Sequence, residues 1–398
     1  MSDVLIGSPG GVLAVLCAVA AFWFLVDQVT EWKLFQYLPP LLFIYATPVF
    51  LNNLDIIPGE SVVYSGLSAY ALPAFIVLML LKVNVPAAVH IMGKGVLVML
   101  MGTVGVVVGA VVAYVLVHKW LAPDAWTGFG ALAGSWIGGT GNMAATSEML
   151  NTPPEQFGLA VLADNVIYIV WLPILLASRN FADRFNAWAK VPEDRINMMD
   201  AASEAAVEEE RTPLMRDYIY LAAIAIGVTW IASSLASILF NATMESYPSL
   251  ETLLSESTWR ILLITTIALA LSATRVSNLP NPTAIGTAMI YVFVAGMGAR
   301  ASIAGFGQAP AFLLGAFIWI FIHGAFCLLG AKIFKVDVHS VAIASAANIG
   351  AAASAPIVAA FHRPSLVPVS ILMALLGYAM GNYLAPITGH LARIAVGQ

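Results

Sequence analysis

The sequence predicts an all-α polytopic membrane protein built from two related halves, and three observations carry that expectation. Of its 398 residues, 60% are hydrophobic and only 10% are charged, whereas a soluble domain carries about 25% charged residues. The apolar residues fall in long runs of roughly the 20 residues that a helix needs to cross a bilayer. The charge is concentrated instead: the stretch 179–216 holds 14 of the 39 charged residues. Helices are expected rather than a barrel because the runs show no two-residue alternation, and a backbone in lipid must pair its polar groups within itself.

Read in order, the chain opens on MSDVLIGSPG, which has no positive region and carries Asp3. No cleavable signal peptide is expected, so the first apolar run counts as a span. Twelve apolar segments follow one another at 11–29, 36–54, 60–82, 87–118, 126–150, 156–178, 217–240, 259–276, 281–303, 308–334, 338–361 and 364–394. This gives a first transmembrane half at 1–178, a charged loop at 179–216 with a short surface helix expected from Asp200 to Glu210, and a second half at 217–398. If all twelve segments cross and the loop is cytoplasmic, 11 Lys and Arg lie inside and five outside, as the positive-inside rule prefers. The loop supplies six of those 11, so it alone sets the orientation. Lys94 is left within a span and is expected to snorkel to the interface, while Asp27, Lys82, Glu148 and Arg300 sit near segment ends. Cys17 and Cys327 lie in apolar runs and suggest no disulfide. A net charge of −5 without a basic cluster gives no reason to expect a nucleic-acid partner.

The halves match in pattern. In each, a long fourth segment precedes a tract of small residues, GSWIGGTGNMAATSEML in the first half and AIASAANIGAAASAPIV in the second. Four of the eight residues from Gly134 to Gly141 are glycine, each worth about 1 kcal/mol against a helix interior. Asn348 and Gly350 lie mid-segment with Pro356 beyond them. Both tracts therefore predict discontinuous helices, and paired interruptions of this kind point to a transporter's binding site. Close helix packing is the plainer explanation of small residues, and it is the one expected for the Gly105–Gly109 pair.

Polar residues inside the spans supply the candidate site. Asp164 stands near the middle of its segment, where a carboxylate costs at least about 2.5 kcal/mol and commonly marks an ion path. It is expected to bind a coupling cation or proton, the alternative being a permanently protonated or paired structural acid. Asn165 beside it could add an amide ligand or hold the carboxylate. Asn142 and Asn348, at the two breaks, would bind ion or substrate or simply satisfy freed backbone groups. Thr140, Gly141, Ser345, Gly350 and Ser354 are candidate substrate contacts, although hydroxyls are common in spans without function. His323 could carry protons or substrate, or bond a neighbouring helix. No nucleotide loop, HExxH pattern or GxSxG elbow is present, so neither ATP drive nor an enzyme is expected.

GGTGNMAA, then ADNV at 163–166, then ANIGAAASAP at 347–356 resemble the domain-of-unknown-function 819 membrane proteins over about residues 36–394. The resemblance implies a place in the cation–proton antiporter and anion transporter superfamily. It also implies inverted repeats, two broken helices that cross, and a core that moves against a panel. On it, Asp164 looks like the ion-site carboxylate, with Asn142 and Asn348 at the crossings. The second tract has no acid, unlike some sodium-coupled relatives, and an Asp–Asp pair is absent. One conflict follows. The breaks fall in the fifth and eleventh of twelve segments, and that even offset gives parallel repeats, so either one segment fails to cross fully or the count of segments is wrong. Segment 36–54, with Pro39, Pro40 and Pro48, is the suspect.

The functional expectation is a secondary active transporter of a bacterial cytoplasmic membrane, coupling H⁺ or Na⁺ to a small solute, an organic anion or other polar metabolite. It would need no cofactor or metal beyond Na⁺, and would act alone or as a homodimer in the lipid bilayer. The rivals are a cation/proton antiporter and, in another class, a membrane receptor or assembly protein on a transporter-like scaffold.

Overall fold

The computed structural model describes residues 4–30, 35, 40–192, 211–251 and 253–398. The helix expected at Asp200–Glu210 lies outside the described residues, as does Pro39. The described chain is helical throughout, with no strand. Eight of its helical stretches are long and apolar enough to cross a membrane; the protein is an integral membrane protein.

The first half begins with α1 (Pro9–Thr30), whose Pro9 opens the helix where a missing N–H costs nothing. Helix α2 (Pro40–Asn53) follows, then α3 (Val62–Leu80). Ser61 caps α3 by accepting from the Val63 N–H at 3.2 Å. A π-turn at Leu67–Ala71 precedes Pro73, which has no N–H to continue the regular ladder. The segment expected at 87–118 divides at Gly93 into α4 (Val85–Met92) and α5 (Lys94–Val117). Lys94 thus stands in the first turn of α5 and is exposed. Next come α6 (Ala125–Gly138), α7 (Thr140–Met149), α8 (Pro154–Ser178) and the short α9 (Ala182–Ala189). The second half holds α10 (Met215–Ser246), α11 (Glu256–Ser272), α12 (Pro282–Arg300), α13 (Ala309–Phe334), α14 (Val338–Ile349), α15 (Ala351–His362) and α16 (Val367–Ala395).

Two small-residue tracts break where expected, at Gly139 between α6 and α7 and at Gly350–Ala351 between α14 and α15. The expectation that each crosses the membrane is corrected. In both, the second arm doubles back along the first. A Cβ on Gly134 of α6 would lie 2.8 Å from the Asn142 carbonyl carbon and 2.9 Å from the Met143 Cα of α7. Had the helix run on, eight residues would separate these groups by roughly 12 Å. In the second tract Ser354 Oγ donates to the Ala346 carbonyl at 3.2 Å. At its base, His339 and His362 bring their Nδ1 atoms within 3.0 Å. Each tract is a re-entrant hairpin that enters and leaves on one side.

Those sides differ. Hairpin α6–α7 opens on the face that carries residues 55–61, 150–156 and 301–308. There Gln156 Nε2 donates to Asp124 Oδ1 at 3.3 Å, and the Ala122 N–H to Gln308 Oε1 at 2.6 Å. Hairpin α14–α15 opens on the other face, with the chain from 179 to 192. There the Val338 N–H donates to Asn186 Oδ1 at 3.1 Å, and His362 Nε2 lies 3.0 Å from the Leu175 carbonyl. These are the first and second faces, respectively. The remaining long helices run from face to face. Segment 36–54 is not the one that fails to cross: α2 lies along α1, with Trp23 Nε1 donating to Thr47 Oγ1 at 2.8 Å, and it leads into the turn at Asp55, whose carbonyl bonds the Leu5 N–H on the first face.

The helices form two bundles. In one, α1, α2, α3, α10, α11 and α12 pack around Ile44, Tyr64, Leu78, Leu221 and Ala295. In the other, α5 and α13 cross antiparallel beside both hairpins, α8 and α16. Gly102 of α5 faces Cys327 and His323 of α13, and Gly109 faces Trp319. The Gly105–Gly109 pair is therefore internal packing, as expected. Trp136 and Trp319, both fully buried with ring centroids 4.6 Å apart, anchor the second core.

Candidate functional site

The hairpins are held so that their tips touch. Gly139 has a φ of +85°, a region closed to most side chains, and it turns the chain from α6 into α7. A Cβ placed on it would lie 2.8 Å from the Cβ of Ala351, the residue that turns the second hairpin with a φ of +50°. The ring of Tyr378, from α16, flanks the same point, with Cε1 3.2 Å from that Cβ position. Neither Gly139 nor Gly350 offers a side-chain cap to the helix it starts. The first N–H groups of α7 and α15 and the last carbonyls of α6 and α14 thus converge where the tips meet.

Asp164 lies beside this junction. Its Oδ2 accepts from Ser135 Oγ at 2.9 Å and its Oδ1 from Trp136 Nε1 at 2.9 Å, both on α6. Each carboxylate oxygen keeps further acceptor capacity for a proton or cation. Two donors from one turn of α6 fix the carboxylate against the first hairpin.

A cavity of about 860 Å³ joins these groups to the second face. Its inner end is formed by Ser135, Gly139, Thr140, Gly141, Asp164, Gly350 and Tyr378. The wall opposite comes from the other bundle: Phe75 and Met79 of α3, and Thr283, Thr287, Ile290 and Tyr291 of α12. Lys82, Asn84, Ser277 and Asn278 stand where it reaches the second face. Asp164 is the one acid and Lys82 the one base among the lining residues; the other polar side chains are hydroxyls and the amides of Asn84 and Asn278, and the remainder are apolar or aromatic. The cavity thus lies along the seam between the bundles.

Of the residues singled out in the sequence, Asp164, Thr140, Gly141 and Gly350 line this cavity. The others are engaged elsewhere. Asn142 Nδ2 donates to the Tyr378 carbonyl at 3.0 Å and to Asn382 Oδ1 at 2.8 Å, and Asn382 in turn donates to Thr265 Oγ1 of α11. Asn165 Nδ2 donates to the Val161 carbonyl of its own helix at 2.7 Å. Asn348 Nδ2 donates to Thr103 Oγ1 of α5 at 3.0 Å, while its buried Oδ1 has no hydrogen-bond partner among the described residues. His323 lies between the Gly102 carbonyl and Ser345 Oγ, both at 2.9 Å, and Ser345 also accepts from Trp171 Nε1. Ser354 holds the second hairpin's turn.

Sequence reasoning does not find Ser135, Trp136, Phe75 and Tyr378. Ser135 and Trp136 stand inside the glycine-rich tract, where their distance of 28–29 residues from Asp164 hides the contact. Phe75 and Tyr378 read as ordinary apolar-run aromatics. No group of three or more His, Cys, Asp or Glu suited to a metal occurs among the described residues.

Comparison with known proteins agrees with this picture of a membrane protein. The chain is similar to an uncharacterized membrane protein, YjcL, of Bacillus subtilis (strain 168), with 25% identity over 349 residues, covering 85% of this chain and 86% of that protein. The family model described as protein of unknown function (DUF819) matches residues 14–394, and the chain belongs to that family.

Proposed function

We propose that this protein is a secondary active transporter in which Asp164 takes the coupling H⁺ or Na⁺ and the hairpin tips hold a small organic anion or other polar metabolite. The observation that carries this reading is the meeting of two oppositely inserted hairpins at Asp164, at the inner end of a cavity that reaches one face. Half-helix N-termini favour the negative end of a solute and half-helix carbonyls favour a cation, so the junction suits paired binding. The halves are related as inverted repeats in this reading. Five full crossings and one hairpin in each half give an odd offset, which removes the parity conflict that twelve crossings create. Antiparallel contacts between equivalent helices support it: Gly296 of α12 lies against Leu67 of α3, and Gly286 against Phe75 and Leu78. The superfamily placement rests on this architecture together with the motif resemblance.

The test is flux into proteoliposomes under an imposed pH or sodium gradient, screened across organic anions and polar metabolites. Asp164→Asn should reduce gradient-driven uptake by at least about 10- to 100-fold, the loss that removing even an outer-shell partner of a bound ion causes, while the purified variant stays folded by gel filtration and circular dichroism. Undiminished ion-dependent uptake by that variant would remove Asp164 from the coupling site. A second reading, cation/proton antiport, is favoured by Asp164 being the single acid in the cavity lining. It predicts sodium- or potassium-driven proton movement with no organic solute present.

A further inference from the structure

A second chamber of about 560 Å³ opens on the first face, on the same seam between the bundles. Glu60 just before α3 and Ser65 within it, Glu148 and Asn151 at the outer end of α7, Arg260 of α11 and Arg300 of α12 are among its walls. It shares α3, α7 and α12 with the second-face cavity. Between the two, the Phe75 ring sits against Gly141 so closely that a Cβ there would collide with it. Around the chamber, α11 is bonded to the outer end of the first hairpin. Arg260 Nη2 meets Glu148 Oε1 at 3.2 Å. Ser257 Oγ donates to the Glu148 carbonyl at 3.2 Å, and Ser255 Oγ and Thr258 Oγ1 to the Met149 carbonyl at 3.3 and 3.4 Å.

We infer that this chamber is the first-face mouth of the same transport path, and that the Arg260–Glu148 pair with its neighbouring hydroxyl bonds is the latch that keeps the path shut there. The latch joins one bundle to the arm of the other that carries Thr140 and Gly141. Any movement opening the junction to the first face must part α7 from α11 and break these bonds together, and it must lift Gly141 away from Phe75. A partly exposed pair suits this role because such pairs contribute little, enough to bias two states without trapping either. The inference rests on the carrier reading above, and the experiment separates the two.

Thr140→Cys places a reporter at the hairpin tip, in the second-face cavity. Its reaction with a membrane-impermeant maleimide is followed by mass spectrometry in vesicles of each orientation. Breaking the pair with Glu148→Gln or Arg260→Gln should raise the rate of labelling from the first face about fivefold, the population change that about 1 kcal/mol gives. The exchanged pair, Glu148→Arg with Arg260→Glu, should bring the rate back toward that of the parent. First-face labelling that is measurable but unchanged by either single substitution overturns the latch and leaves the carrier reading intact. Failure of the exchanged pair to restore the rate removes the ion pair from the latch. Absence of first-face labelling in the parent and in every variant overturns the carrier reading as well.

Discussion

At the scale of single residues, the junction depends on two positions where only hydrogen fits. Gly139 needs none of the space a side chain would take and tolerates its positive φ. Gly141 meets the outer edge of the Phe75 ring, at Cε1 and Cζ, and Phe75 is itself buried at 3% exposure. Gly141→Ala should therefore overpack the seam and cost about 1–3 kcal/mol. Phe75→Leu in the same chain should recover part of that loss, because the shorter side chain vacates the colliding position. The double variant should be more stable than the sum of the singles by about 1 kcal/mol, measured as thermal unfolding in detergent. Additive losses would mean the two residues do not press on each other. Asp164 is legible in the sequence because an acid deep in an apolar run has few explanations. Its partners are not, because a serine and a tryptophan in such a run are ordinary, and only the fold brings α6 beside α8.

At the scale of elements, the breaks are legible in the sequence and their direction is not. Glycine-rich tracts announce that a helix ends, but a positive φ serves a helix that resumes beyond the break as well as one that reverses. Reversal is decided by tertiary packing: Gly134 lets the α7 backbone lie against α6, and the His339–His362 contact closes the base of the second hairpin. Those two histidines, 23 residues apart and both buried, give no pattern that spacing alone could reveal. The contact has a defined polarity. His362 Nε2 faces the Leu175 carbonyl and must donate to it, so His362 Nδ1 accepts and His339 Nδ1 donates. His362→Ala should leave the His339 donor and the Leu175 carbonyl unmatched, costing about 1–3 kcal/mol. Amide exchange should then rise across α14 and α15 while α6 and α7 keep their protection. The turn of this hairpin carries its own strain, since Ala351 holds a φ of +50°, which costs an L-residue about 1–2 kcal/mol. Ala351→Gly should relieve that and raise thermal stability, and a fall instead would show that the methyl's contact at the Gly139 tip outweighs the backbone term.

At the scale of the whole molecule, the number of crossings decides which compartment each face meets. Six crossings before the charged stretch would put the N-terminal residues on the same side as that stretch. Five crossings and a hairpin put residues 4–8 on the opposite side, and residues 396–398 join them on the first face, where Tyr114 Oη donates to Gln398 Oε1 at 3.3 Å. The change sharpens the charge asymmetry. Among the described residues, 11 Lys and Arg now stand at the second face, Lys332, Lys335 and Arg363 among them, against four at the first: Lys119, Arg260, Arg300 and Arg393. With the charged stretch set aside, the second face still leads by six to four, where twelve crossings left the two sides equal. Since cytoplasmic loops carry the excess of Lys and Arg, the second face is expected to be cytoplasmic, with the 860 Å³ cavity open to the cell interior. Cysteines at Ser8 and Gln398 should then react with an impermeant maleimide applied to intact cells, and cysteines at Asn186 and Lys335 only after permeabilisation. Reaction of all four from one side would restore the even count of crossings and with it the parallel arrangement of the halves. The reverse pattern would keep the hairpins and turn the cavity to the exterior, and under the proposed carrier function the driving gradient would then be applied from the other face.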